Sequence, residues 1–189
     1  IRSFTHLKEN VSDAAYKVKA TIGLGMVYRN MSKYEKSLEC YKSVVESMPG
    51  SEYAEESMIA IESIYHKMKK PEKFLEYVEA NDLALKRTDA EKEKMYFSTA
   101  EQLYLSGNYQ QAIATLGKFI ENYPQSPDMT QAVFYLAESY RETGDKEKAC
   151  AEYAKVMNAE SSLSFVEMSK LRYAQLSFDL QRYSDAYNG

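Results

Sequence analysis

The chain has 189 residues, 44% hydrophobic and 28% charged, with 24 Lys+Arg against 28 Asp+Glu for a formal net charge of -4. That balance concentrates no cationic surface for phosphates and argues against nucleic acid as a partner, and no apolar run approaches the roughly 18 to 20 residues that cross a bilayer. Breakers are few, 7 Gly and 4 Pro, and most fall between periodic segments, as in a helix-rich chain.

In chain order, Ile1, Phe4 and Leu7 have the spacing of a helix that ends before Asp13. Helices with apolar residues three and four apart are then predicted at Asp13–Asn30, Tyr34–Met48, Tyr53–Lys69, Pro71–Ala80, Asp89–Ser106, Tyr109–Asn122, Pro127–Thr143, Lys146–Asn158 and Ser164–Gln181, with another starting at Tyr183. Start signals support several of them. Thr88 and Glu91 have capping-box spacing, and Ser126-Pro127 places a cap before a first-turn proline. Gly107-Asn108 and Gly144-Asp145 supply backbone freedom for tight turns.

These helices alternate as first and second members of repeated hairpins. A column of small residues, where two helices come closest, reads Gly25, Glu62, Ala100, Ala137 and Ala174, at spacings of 37, 38, 37 and 37 residues. A second column, in the other helix, reads Ser37, Phe74, Ala112, Ala149 and Ala186. Glu62 and Phe74 break the pattern in the same unit, which also carries Pro71 at its second-helix start and the longest connection, Asn81 to Thr88. If one hairpin is splayed, it is this one. A lone hairpin cannot cover its apolar stripe, whereas stacked neighbours can.

The expected organisation is one all-α, right-handed superhelical solenoid of antiparallel hairpins over 1–189. It is made of a second helix of a preceding repeat at 1–12, repeats at 13–50, 51–88, 89–125 and 126–162, and a partial repeat at 163–189. Opening and closing inside a repeat suggests a segment of a longer array.

The ordered combination Leu24, Gly25, Tyr28, Tyr34, Ser37, Tyr41, Val44 and Pro49, recurring as Ala100, Gly107, Tyr109, Ala112, Leu116, Phe119 and Pro124, resembles the tetratricopeptide repeat (TPR) over essentially the whole chain. The linker from Glu121 through Tyr123-Pro124-Gln125-Ser126-Pro127 is similar to the lengthened repeats of bacterial Tol-Pal-associated and outer-membrane-assembly lipoproteins. That likeness implies a bacterial periplasm or cell envelope, with the cytoplasm as the alternative.

The resemblance also implies that first helices line a concave groove that holds a peptide or protein. Carried over by position, one groove column reads Ile22, Ile59, Phe97, Phe134 and Leu171, apolar in every unit and expected as an exposed binding strip, or else as internal packing. A second reads Met26, Ser63, Glu101, Glu138 and Gln175, and a third Arg29, His66, Tyr104, Arg141 and Phe178. Ile22 and Met26 stand where family members that clamp a terminal carboxylate carry Lys and Asn, so that activity is not expected. Glu101 and Glu138 beside aromatics would suit a basic partner with apolar anchors.

No catalytic constellation accompanies these columns. His6 and His66 lie in separate helices, and Cys40 and Cys150 have no adjacent histidine and no Cys-x-x-Cys spacing, so neither a zinc site nor a disulfide is expected. The cluster Asp89, Glu91 and Glu93 reads as a solvated helix start, and lacks the Gly of a calcium loop. The expectation is a non-catalytic interaction scaffold without cofactor or metal. The alternative is a structural spacer that self-associates through open ends.

Overall fold

The computed structural model describes residues 4–6, 13–81, 87–159 and 164–188. Among these, every regular element is helical and no strand occurs. Two compact units are present, Ile1–Arg87 and Thr88–Gly189. Of the helix expected at 1–12, residues 4–6 are helical; Ile1 and Leu7 lie outside the described residues, as do 82–86 of the long connection.

The first unit contains α1 (Ala14–Asn30), α2 (Tyr34–Ser47), α3 (Glu52–Lys67) and α4 (Glu72–Ala80). Asp13 caps α1 by accepting from the Ala15 amide at 2.8 Å, and Ser51 caps α3 by accepting from Ala54 at 3.2 Å. Both satisfy orphan first-turn donors. The small residue Gly25 is required by its neighbour, because a Cβ there would lie 2.9 Å from the Tyr41 ring. The approach also lets the Ser37 hydroxyl donate to the Gly25 carbonyl at 2.7 Å.

Helix α3 buries Ala54, Met58, Ile61, Ile64 and Tyr65, the i, i+3, i+4 stripe that its sequence predicts. In α4 the bulky Phe74 replaces a small residue and is itself buried. The backbones of α3 and α4 accordingly approach each other at few places, whereas α1 with α2 and α2 with α3 pack along their lengths. The splayed hairpin expected from Glu62 and Phe74 is what forms.

A cation bridges this gap. Lys42 on α2 donates to the Tyr65 hydroxyl of α3 at 2.9 Å, and its ammonium lies 4.6 Å from the ring centroid of Tyr77 on α4 and 5.4 Å from that of Tyr65. Cation–π contacts of this kind are worth about 0.5–2 kcal/mol, more as they are desolvated.

The second unit contains α5 (Asp89–Leu105), α6 (Tyr109–Asn122), α7 (Met129–Glu142), α8 (Lys146–Met157), α9 (Ser164–Asp179) and α10 (Tyr183–Asn188), each packed on the next. The Thr88–Glu91 capping box forms as the sequence predicts. Ala100, Ala112, Ala137 and Ala149 are fully buried where helices meet, and Leu103, Leu116, Phe119, Tyr153 and Val156 fill the space around them. Each such large apolar side chain contributes about 1.5–3 kcal/mol by leaving water. The expected cap at Ser126-Pro127 is corrected: α7 starts at Met129 with Asp128 as its cap residue, and the Ser126 hydroxyl instead accepts from the Asp128 amide at 3.1 Å in the preceding turn.

The turns between first and second helices share one geometry. Ser32, Lys69, Gly107, Gly144 and Gln181 all adopt positive φ, between 56° and 86°. In each, the next amide reaches back to a carbonyl in the last helical turn: Lys33 to Tyr28, Lys70 to Tyr65, Asn108 to Leu103, Asp145 to Tyr140 and Arg182 to Ser177. This is the Schellman closure, which satisfies helix-end carbonyls and favours Gly at the left-handed position. The two glycines mark it in the sequence. Ser32, Lys69 and Gln181 hide it, because they accept the strain that a Cβ brings there.

Candidate partner-binding faces

The three groove columns fall on first helices, α1 and α3 in the first unit and α5, α7 and α9 in the second. In the first unit Ile22 is buried, whereas Met26 is 45% and Ile59 70% exposed. Ile59, Glu62, Ser63, His66 and Lys67 line an open hollow of about 540 Å³. His66 Nε2 lies 3.9 Å from Glu62 Oε1, one helical turn away, and Arg29 is half-buried at the far end of α1. Glu62, the misfit of the small column, is thus half-exposed beside the hollow rather than forced into a helix contact.

In the second unit the columns are tied together. Phe97 is half-buried with its ring 5.4 Å from Phe119. Glu101 accepts from the Tyr135 hydroxyl at 3.0 Å and from Gln131 at 3.2 Å, and Tyr135 stacks on Tyr104 with centroids 4.4 Å apart. Burial raises the phenol pKa of Tyr104 and of Tyr135.

Glu138 is 5% exposed. It accepts from the Tyr153 hydroxyl and, at 2.7 Å, from Arg141, while Arg172 of α9 places Nε 3.4 Å away. Arg141 also pairs with Glu142. Burial and the Glu138 bond push the Tyr153 hydroxyl far above the usual phenol range, and the same carboxylate raises Arg141. A buried carboxylate is tolerated only when paired and hydrogen-bonded in this way.

Two expectations change as a result. The apolar strip is not uniformly exposed: Phe134 is 4% exposed, packed 5.1 Å from Phe165 and 6.2 Å from Tyr153, and Ile22 is 7% exposed. Both are core residues, and Phe134 is covered by Phe165 of the next first helix and Tyr153 of its hairpin mate. Nor do Glu101 and Glu138 offer two carboxylates to a basic partner, since both are engaged by side chains of their own unit. On α9 the columns stay open, with Leu171 58% and Phe178 63% exposed on either side of the exposed Gln175.

Sequence reasoning missed Gln131, Tyr135, Tyr153 and Arg172. Tyr135 and Arg172 each follow a groove position by one residue and belong to a column, Gly23, Ala60, Ser98, Tyr135 and Arg172, whose residue types have no shared character. Only the covering geometry of neighbouring helices gives it meaning.

Among the described residues there is no group of three or more His, Cys, Asp or Glu side chains able to hold a metal, and no helix is long and apolar enough to cross a membrane. Cys40 and Cys150 are both buried.

The fold is similar to that of the apo form of RapI, with a TM-score of 0.54 at 14% identity over 98% of this chain and 56% of RapI. It is also similar to BtubC (BKLC) from P. vanneervenii, with a TM-score of 0.51 at 12% identity over 99% of this chain and 85% of that one. At these identities the likeness shows the fold alone, and this chain spans little more than half of RapI. No curated protein matches the chain significantly. The family described as the SusR N-terminal TPR domain matches residues 2–187. That description, rather than the Tol-Pal-associated or outer-membrane-assembly type suggested by the linker, covers essentially the whole sequence, and the chain belongs to the SusR N-terminal TPR domain family.

Proposed function

We propose that the chain is a non-catalytic scaffold whose first-helix faces bind a peptide or protein partner. The observation that supports this most is the exposure of Met26, Ile59, Leu171 and Phe178, all of which fall on the groove columns of first helices. Large apolar side chains left in water on ordered helices mark interaction surfaces when they cluster. In the first unit the open hollow beside Ile59 adds a recess, rimmed by Glu62, His66 and Lys67. Half-buried Phe97 and Tyr104 and the charged Arg141 form the corresponding face of the second unit, with Glu101 and Glu138 as internal props.

The test is affinity capture with identification by mass, comparing the chain with Met26→Ser/Ile59→Ser. Both positions are exposed, so the variant keeps its fold. Alanine at Phe97 and Phe134 together is unsuitable, since Phe134 belongs to the core. A protein held by the chain and lost from the variant supports the reading; identical retention by both counts against it. The Tyr-Pro-Gln-Ser-Pro linker favours a bacterial envelope setting for this activity, which fractionation of the source cells would check.

A further inference from the structure

The near-neutral balance of the whole chain conceals a local excess of positive charge. In the second unit, cations pair with carboxylates of that unit: Arg141 with Glu138, Lys146 with Asp179, Lys148 with Asp145, Lys155 with Glu152, Lys170 with Glu167 and Arg182 with Glu147. In the first unit Lys33, Lys67, Lys69 and Lys70 are exposed, and none of them forms an ion pair among the described residues. All four belong to the ends and turns that join first to second helices. Short connections and lengthwise packing make α2 antiparallel to both α1 and α3, which brings the α1–α2 and α3–α4 turns to the same end of the unit. The two turns are related by the repeat, reading Met31-Ser32-Lys33-Tyr34-Glu35-Lys36 and Met68-Lys69-Lys70-Pro71-Glu72-Lys73. Backbone closure fixes both: the Lys33 amide donates to the Tyr28 carbonyl and the Lys70 amide to the Tyr65 carbonyl, each at 2.9 Å. Lys69 carries its charge at a φ of 58°, a left-handed position that Gly107 and Gly144 fill in the second unit. A Cβ is unfavourable there, so the residue is suited to its place by its side chain and not by its backbone.

We propose that this turn edge of the first unit docks an acidic segment of a partner protein, with carboxylates on Lys33, Lys69 and Lys70 and an apolar side chain against Met31, which is 47% exposed. Charge complementarity selects the occupant, since turns held by their own backbone bonds present these ammonium groups without an internal counter-charge. Their neighbours in the second helices are already engaged, Lys36 5.9 Å over the Tyr28 ring and Lys73 on Glu76 at 2.8 Å. Glu35 and Glu72, in the first turns of α2 and α4, interrupt the lysines. Separated side-chain carboxylates fit such an interruption, whereas the continuous charge of a nucleic-acid strand or an anionic bilayer would also be pressed against the two glutamates. The surface lies at helix ends, apart from Met26 and Ile59 on the groove columns, and goes beyond the groove reading; Lys67 also rims the hollow beside Ile59.

The experiment titrates the chain with two short synthetic peptides, one of Glu and Asp with a single Leu in a Gly/Ser host and one with Gln and Asn in place of the acids. The expected result is binding of the acidic peptide alone, weakened about ten-fold or more in Lys33→Gln/Lys69→Gly/Lys70→Gln and weakened again as salt rises from about 50 to 300 mM. Lys69→Gly by itself should weaken binding while its melting temperature holds or rises, a combination that a purely structural lysine would not give. Lys155→Gln, which removes a paired cation of the second unit, and Ile59→Ser should leave binding unchanged. Equal binding of both peptides, no binding, or indifference to the lysine substitutions overturns the proposal. Tighter binding of a single-stranded oligonucleotide or of phosphatidylglycerol vesicles than of the acidic peptide also overturns it, as does salt-sensitive self-association in sedimentation that the triple variant abolishes while the peptide fails to bind. Failure here leaves the capture experiment on Met26 and Ile59 to decide the groove reading separately.

Discussion

The two units solve the same packing problem with different side chains. In Thr88–Gly189, alanines let every hairpin close, and a hydrogen-bonded network around Glu101 and Glu138 locks neighbouring first helices together. In Ile1–Arg87 the second hairpin cannot close around Phe74, and Lys42 between Tyr65 and Tyr77 does part of the work that tight helix contact does elsewhere. The closed α5–α6 and α7–α8 hairpins carry Glu101 and Glu138, whose carboxylates are engaged within the unit. An open one leaves Ile59 and the hollow beside it to solvent.

The strongest way to break this comparison is inside the network. Glu138→Ala removes the acceptor of the buried Tyr153 hydroxyl and leaves half-buried Arg141 with Glu142 alone, and should cost the second unit about 3 kcal/mol or more in denaturant unfolding. Phe134→Ala should cost a similar 3–5 kcal/mol, while Leu171→Ala, in the same column but exposed, should stay within about 0.5 kcal/mol. Equal effects at the two positions would contradict their assignment to core and surface.

In the first unit, alkaline pH sharpens the contrast. Burial raises the Tyr77 phenol from 10.0 to about 12. Between those values the unfolded chain loses this proton before the folded one does, so the contribution is fully present below pH 10 and is lost as pH rises toward 12, on the order of 2 kcal/mol. A Tyr77→Phe variant should lose that share of the alkaline destabilisation in urea titrations at pH 9 to about 12. Lys42→Met should cost about 1 kcal/mol and speed amide exchange in Glu72–Ala80 with no change in Tyr109–Asn122. The smallest effect has the opposite sign: Lys69→Gly relieves a positive φ of 58° and should raise stability by about 0.5–1 kcal/mol, read as a shift in melting temperature.

Helix positions were legible in the sequence because an apolar stripe at 3.6-residue period is a property of one helix, and the repeat spacing placed each helix by its neighbours. The splayed hairpin was legible too, since Glu62 and Phe74 violate a steric column. Exposure of the groove columns was not, because it depends on what the following helix presents. Phe134 and Leu171 occupy one register and look equivalent in sequence, yet Phe165 covers the first and no described residue covers the second. Likewise Glu138 reads as a charge offered to a ligand until Tyr153 and Arg172 are seen to converge on it from two other helices.

The account turns on Ile59 and its surroundings being free for a partner while the network residues serve the fold. The direct measurement is capture of partner proteins by the chain, by Met26→Ser/Ile59→Ser, and by an outer-face control, Glu39→Ala, each first shown to melt like the parent. The account predicts a protein retained by the parent and the control and lost from the double variant. Retention of the same protein by all three, at the same yield, would contradict it.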